Sequence, residues 1–275
     1  ASKDPLTMDR GLLRGFERVA VPLMERVNRS KTIKRVLHGT VGRFNCTWMT
    51  AATGVSWRVH GFEAIESLDA PQGIVLVANH LSFFDMFVGS SQINTNTKLM
   101  KRVCYPVRAN WHYQTPIGMV VNSAISGAAM WPPVFRDGSR RALNHTGVEQ
   151  MVDFLGPGAA IGIHPEGRRN IADDPYTLLP LKPGLGVLLQ RCHPDVMVLP
   201  FFVIGLSDSF SRESTRWLRN EDSRGEPIRI RYAPPMRAGD VRQGRDAMAI
   251  TEAVMAAVAE QGQIDKVESA TTVHR

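Results

Sequence analysis

The stretch Gly73–Asp85, GIVLVANHLSFFD, constrains this chain more than any other. Residues 74–79 form an apolar run that closes on a polar residue, Asn79, the pattern of a strand buried on both faces of a parallel sheet. His80 follows at once and Asp85 five positions later. Ser82 stands where a helix would begin and Asp85 three residues on, an S-x-x-D capping box. The spacing therefore predicts a histidine on the turn leaving a strand's carboxyl end and an aspartate on the first turn of the next helix. Open α/β sheets place their chemistry in that crevice. Taken alone, His-x4-Asp is more simply a loop histidine and a capping aspartate.

A second constellation changes that balance. Ala159–Ile163 reads as another buried strand and runs straight into His164-Pro165-Glu166-Gly167-Arg168-Arg169-Asn170. It delivers a carboxylate and two guanidinium groups to the same sheet edge as His80, where arginines suit a phosphate or carboxylate through forked hydrogen bonds. Arg136 follows a further strand candidate, Gly127–Phe135, which Pro132 and Pro133 disturb. Around these, the pattern predicts strands at Val55–Gly61, Lys101–Ala109, Val196–Ile204 and Ile228–Ala233. Helices are expected at Phe83 to about Ile93, Val148–Leu155, Gly184–Cys192 and Arg245–Gln261, with residues 263–275 a frayed tail. The fold class expected is α/β, a mixed, largely parallel sheet flanked by helices, with an N-terminal helical segment at residues 1–54 ahead of a catalytic domain at 55–262.

Charge is distributed unevenly. The net charge is +7, and residues 1–60 hold eleven Lys or Arg against four Asp or Glu, so the excess lies entirely in that first part. Such asymmetry points to an anionic surface as partner. Two helical stripes occupy the segment: Leu12, Phe16, Val19, Leu23 and Val27, with a kink expected at Pro22, then Ile33, Leu37, Val41, Phe44 and Trp48, with Ser30 as a cap between them. Arg14, Arg18, Arg26, Lys34, Arg35 and Arg43 fall off the stripes. Two readings stay open, packing on the catalytic core or insertion into a membrane interface. Nucleic acid is excluded as a partner, since no zinc-finger spacing, helix-turn-helix signature or interleaved stacking aromatics accompany the charges. Three cysteines without metal-ligand spacing favour a reduced compartment. No secretory signal stands at the start and no run reaches the length of a spanning helix. The expected location is the cytoplasm, at the inner face of the membrane.

With these motifs in order, the sequence resembles the glycerophospholipid acyltransferases typified by 1-acylglycerol-3-phosphate acyltransferase. Their Asn-His-x-Ser-x-x-Asp motif is matched by Asn79, His80, Ser82 and Asp85, and their Phe-Pro-Glu-Gly-Thr-Arg-Ser motif at Pro165, Glu166, Gly167 and Arg169. Gly127 through Arg136 matches the second motif loosely, Val198-Leu199-Pro200-Phe201 looks like the fourth, and Leu181-Lys182-Pro183-Gly184 resembles a Phe-Lys-x-Gly segment. Thr115-Pro116-Ile117-Gly118 resembles the family's Pro-x-x-Gly turn. His164, Arg168 and Asn170 depart from the third motif. The resemblance implies that Glu166 orients an acceptor and that Arg169, with Arg136, holds its phosphate; Gly167, Arg168 and Lys182 complete the expected substrate-binding set.

The residue types define the chemistry. No Gly-x-Ser-x-Gly elbow exists, so no serine acyl-enzyme is indicated. A neutral imidazole steadied by a carboxylate can take the proton from an acceptor hydroxyl as it attacks a thioester, so His80 and Asp85 are the expected catalytic pair. No cofactor or metal is expected; acyl-CoA or acyl carrier protein would enter as co-substrate, with a lysophospholipid or glycerol-phosphate acceptor. Two alternatives remain, the same fold acting on a different acceptor, such as a glycolipid, amine or specialised metabolite, and a non-catalytic lipid-binding module.

Overall fold

The structure, a computed structural model, describes residues 4–47, 57–207, 209 and 227–273. Trp48 of the second stripe, and Val55 and Ser56 of the first expected strand, lie outside those residues. The centre is a mixed sheet built on β2 (Ile74–Ala78), whose parallel neighbours are β6 (Ala159–Ile163) and β7 (Met197–Ile204). On one side β3 (Arg102–Cys104) extends it parallel to β6. On the other, β8 (Ile228–Tyr232) runs antiparallel to β7, and β1 (Trp57–His60) closes the edge parallel to β8. β9 (Met236–Arg237) pairs antiparallel with the start of β7. A separate two-stranded ribbon joins β4 (Val107–Arg108) to β5 (Pro133–Val134).

β2 is fully buried because it feeds two cores. Val75 and Val77 face one, with Ile161, Val198, Phe202 and the helices behind them; Ile74, Leu76 and Ala78 face the other, with Leu199, Phe201 and Ile230. This is the period-2 consequence of a strand covered on both sides. The main helices are α1 (Glu17–Arg29), α2 (Lys31–Leu37), α3 (Asp85–Asn96), α4 (Pro116–Ser126), α5 (Arg141–Phe154), α6 (Gly184–Arg191) and α7 (Ala247–Val273). α6 and α7 cross so closely that a Cβ at Gly186 would collide with the Ala247 carbonyl. The α/β class and the mixed, mostly parallel sheet expected from the sequence are what the chain adopts.

Several elements differ from expectation. The run Lys101–Ala109 divides into β3 and β4, and Gly127–Phe135 contributes only Pro133–Val134. The segment read as a Pro-x-x-Gly turn opens α4 instead. Thr115 caps it by accepting from the Gly118 N–H at 3.0 Å, Pro116 takes the first helical position, and Gly127 ends it at φ +58°. That is the usual cap, proline and left-handed glycine of a helix. α7 does not stop at Gln261 with a frayed tail but continues to Val273. Its last turns are held by Asp265, buried, which receives Arg229 Nε at 3.0–3.1 Å and the Tyr176 hydroxyl at 3.0 Å, and by Glu268 on Arg231.

The first helix also turns a different face inward. The buried positions of α1 are Glu17, Ala20, Val21, Met24, Glu25 and Asn28, whereas Val19 and Leu23 of the expected stripe are exposed. The buried acids are what reorient it. Glu17 receives Arg140 at 2.8 Å and Gln114 at 2.9 Å; Glu25 receives the Met8 N–H and Gln150. In α2, Ser30 caps as expected by accepting from the Ile33 N–H. Lys34, expected on the solvent side, is instead buried, and its Nζ donates to the Gly127 carbonyl at 3.3 Å. α2 runs on through a π turn at His38–Gly42 that packs beside α4, where Asn45 donates to the Ala124 and Ile125 carbonyls.

Candidate active site

Because β2 and β6 are parallel neighbours, with Val77 opposite Ile163, the residues that follow them emerge on the same edge. His80 leaves β2 and the 164–170 turn leaves β6, and the two clasp each other through the backbone. Glu166 Oε1 accepts the His80 N–H at 2.9 Å, and the Asn170 N–H donates to the His80 carbonyl at 2.6 Å. Asn79 extends the sheet by exchanging two hydrogen bonds, both 2.9 Å, with the backbone of Val203.

Asp85 opens α3, where the helix dipole favours an anion. Its Oδ2 accepts the N–H groups of Leu81 at 2.6 Å and Ser82 at 2.7 Å and faces His80 Nδ1 at 3.3 Å; Oδ1 has no hydrogen-bond partner among the described residues. The capping-box contact expected from S-x-x-D is therefore present, but the helix begins at Asp85 rather than two residues earlier. Burial pushes the Asp85 carboxyl up to about 7, opposed by the adjacent His164 and by the Ser82 and Leu81 amides. Burial, helped by the charges of Arg169 and Arg108, pulls His80 down to about 4. At neutral pH the imidazole is therefore uncharged. Once Asp85 is ionised, above about 7, its carboxylate beside Nδ1 keeps the hydrogen on that nitrogen and leaves Nε2 with a lone pair, the form a general base needs.

Glu166 sits differently from the role implied by the resemblance. It is buried, and its second oxygen accepts the Leu179 N–H at 2.8 Å, so both oxygens serve the backbone. Burial raises its pKa while those two N–H groups oppose the rise. The expected cations do gather nearby. Gly167, at φ +66°, turns its carbonyl outward, and Arg136 Nη2 donates to that oxygen at 3.1 Å. Arg168, Arg169 and Lys182 are exposed around the same turn, and the Lys182 N–H donates to the Pro165 carbonyl. The sequence reading missed Arg108, whose Nη2 donates to the same Gly167 oxygen at 2.9 Å. β4 and β5 set Arg108 and Arg136 side by side through the pairing Val107–Pro133 and Arg108–Val134. Arg108 is pulled down by burial and by the charges of Arg136, Arg168 and Arg169, a concentration of positive charge that an anion would relieve. The only signal for it was an arginine late in the Lys101–Ala109 run, as Arg136 follows its own strand.

With this edge described, comparison with known proteins is decisive. An acyltransferase family model matches residues 56–204, more than half of the sequence. The chain belongs to the acyltransferase family. The acyltransferase membership expected from the motifs is thereby borne out. This acyltransferase is also similar in fold to the 1-acyl-sn-glycerophosphate (LPA) acyltransferase PlsC of Thermotoga maritima, with a TM-score of 0.50 and 15% sequence identity over 94% of this chain and 85% of that one. At that identity the likeness concerns architecture. Among the described residues of the acyltransferase, no three His, Cys, Asp or Glu side chains are grouped to hold a metal ion.

Proposed function

We propose that this acyltransferase moves a fatty acyl group from an acyl thioester, acyl-CoA or acyl carrier protein, to a hydroxyl of a lysophospholipid or glycerol-phosphate acceptor, foremost lysophosphatidic acid. The observation that carries the reading is the neutral His80, backed by Asp85, opening beside the arginines gathered at Gly167. His80 Nε2 takes the acceptor's hydroxyl proton as the oxygen attacks the thioester carbonyl. The tetrahedral intermediate collapses with cleavage of the carbon–sulfur bond, and the imidazolium returns its proton to the leaving thiolate. Asp85 holds the productive tautomer and faces the transient cation. Glu166 and Asn170 fix the backbone of His80 from both sides. Arg108, Arg136, Arg168, Arg169 and Lys182 offer an anionic head group more positive charge than a single phosphate carries. An acceptor bearing a second anionic group is therefore the alternative, favoured by Arg168, a departure from the family motif.

The acceptor and product are lipids, and the surface supports presentation to a bilayer. No helix among the described residues is long and apolar enough to cross a membrane. Exposed Val19 and Leu23 on α1, Ile33 and Val36 on α2, Phe44 after the π turn and Ile117 and Val120 on α4 lie on adjoining elements with exposed Arg18, Arg26, Arg35 and Arg43. Apolar side chains interspersed with cations suit peripheral binding to an anionic inner leaflet. Thiol release from palmitoyl-CoA with lysophosphatidic acid, glycerol 3-phosphate, a doubly anionic lysolipid and no acceptor tests the reading. Acceptor-dependent release with lysophosphatidic acid is expected. Release that ignores every acceptor would reduce the protein to a thioesterase.

A further inference from the structure

His164 stands where the family motif carries phenylalanine, and its ring is not idle. It lies parallel to His80, ring centroids 4.0 Å apart and planes 8° apart. Its Nδ1 is 3.2 Å from the carbonyl of Ala78, the last residue of β2. A carbonyl only accepts, so Nδ1 carries the hydrogen, and the ring is pinned by its edge to β2 while its face covers His80. A phenylalanine would supply the face without the edge bond.

Resting on the general-base reading, we propose that His164 is a positioning residue that fixes the plane of the His80 imidazole toward the acceptor hydroxyl and backs the imidazolium formed as the proton moves. The charged and titratable groups around the pair are Asp85 from α3, Glu166 and Arg169 from the turn after β6, and Arg108 from β4. Burial and the neighbouring His80 hold His164 down to about 3, so it stays neutral when His80 takes a proton. Two imidazolium rings in face contact would repel, whereas a neutral ring face attracts a cation. The stack also shuts water from one face of His80.

Two variants separate edge from face. His164→Phe keeps the stack and loses the Ala78 bond, and kcat should fall about 3- to 10-fold with both KM values unchanged. His164→Ala loses both, and kcat should fall about 10- to 100-fold, again with KM held. In His164→Ala, water reaching His80 should move the titration of that imidazole upward toward the free imidazole range, while His164→Phe leaves it low. NMR of the His80 Cε1 proton reads that shift, needs no substrate and so stands apart from the acceptor assignment. If His164→Ala does not fold, the His164→Phe kinetics and titration decide. Wild-type kcat and an unmoved His80 titration in His164→Ala would overturn the proposal. So would equal losses in both variants accompanied by rises in both KM values, the mark of a merely structural ring.

Discussion

At the scale of single residues, the site is a set of backbone hydrogen bonds that leave one imidazole nitrogen free to act. Replacing His80 with alanine should lower kcat by roughly a hundred- to ten-thousand-fold, the usual contribution of a positioned base. Donor binding should be spared, and direct acyl-CoA titration against the wild type checks it. The pH dependence has a definite sign. His80 is pulled below the ordinary imidazole value, to about 4, and in the proposed mechanism it is the neutral base. The Asp85 carboxylate is the first group to take a proton, since burial raises it to about 7, so kcat/KM should fall as pH drops through about 7 and fall further as His80 approaches its own lower value. A kcat/KM profile that stays flat from about pH 8 to about pH 5 would contradict the burial of Asp85. Glu166 makes a different prediction from the one its motif suggests. Glu166→Gln sets an amide N–H2 against one of two backbone N–H groups, from His80 or Leu179. Stability should drop by about 1–3 kcal/mol. kcat should fall while the acceptor KM stays near wild type. Urea unfolding beside steady-state kinetics separates this from direct contact with the acceptor, which would raise that KM.

At the scale of elements, α2 carries a buried lysine with one carbonyl for company, and the stability curve should record it. Burial pulls Lys34 down to about 7 from the usual 10.5. Between those values the unfolded chain binds more protons than the folded one, so this residue makes stability rise with pH across that window. Below about 7 the full penalty of a buried cation remains. Lys34→Met, similar in length and apolar, should be the more stable protein at neutral pH and below. Its advantage should shrink toward pH 10.5, as urea unfolding of both proteins at several pH values would show. An advantage that does not depend on pH would mean that the lysine titrates alike in the folded and unfolded chain. Lys34 also shows where sequence reading stopped. β2, β6, β7, β8 and α6 were legible because each is a short apolar run or stripe whose burial follows from its own residues. His80, Asp85 and the 164–170 turn were legible because they sit at the ends of two such strands. α1 and α2 were misfaced because their partners are remote: Arg140 and Gln150 bury Glu17 and Glu25, and Gly127 receives Lys34, none of which periodicity can express. Arg108 was passed over because its place beside Arg136 depends on pairing between β4 and β5. α4 was readable from Thr115, Pro116 and Gly127, but the family turn was read in its place. The length of α7 is set by Asp265 on Arg229 and Tyr176. Asp265→Asn, which breaks a buried ion pair, should cost about 3–5 kcal/mol, measurable as a lowered unfolding midpoint with the acceptor KM unchanged.

At the scale of the whole molecule, the exposed apolar side chains of α1, α2 and α4 are separable from the core, because burial distinguishes them residue by residue. Phe44 and Ile117 are 70% and 72% exposed. Phe44→Ser with Ile117→Ser should leave the unfolding midpoint nearly unchanged while weakening flotation on phosphatidylglycerol vesicles. Arg18, Arg35 and Arg43 replaced together by glutamine should do the same through charge, at about 1 kcal/mol per residue near the surface. Added salt should weaken wild-type binding. Equal flotation on neutral and anionic vesicles would remove the electrostatic part of the reading. The sheet's connectivity carries a consequence for how the protein is made. β1 occupies an edge with β8 as its neighbour, and β8 lies near the far end of the chain. On a ribosome adding about 5–20 residues per second, β1 emerges on the order of ten seconds or more before the strand it pairs with. The clasp around His80 likewise waits for Glu166, Asn170 and Leu179 to leave the exit tunnel. Throughout that interval the nascent chain shows an unpaired strand edge and the apolar sides of α1 and α2. Those are surfaces a chaperone, or the membrane itself, would be the first to meet.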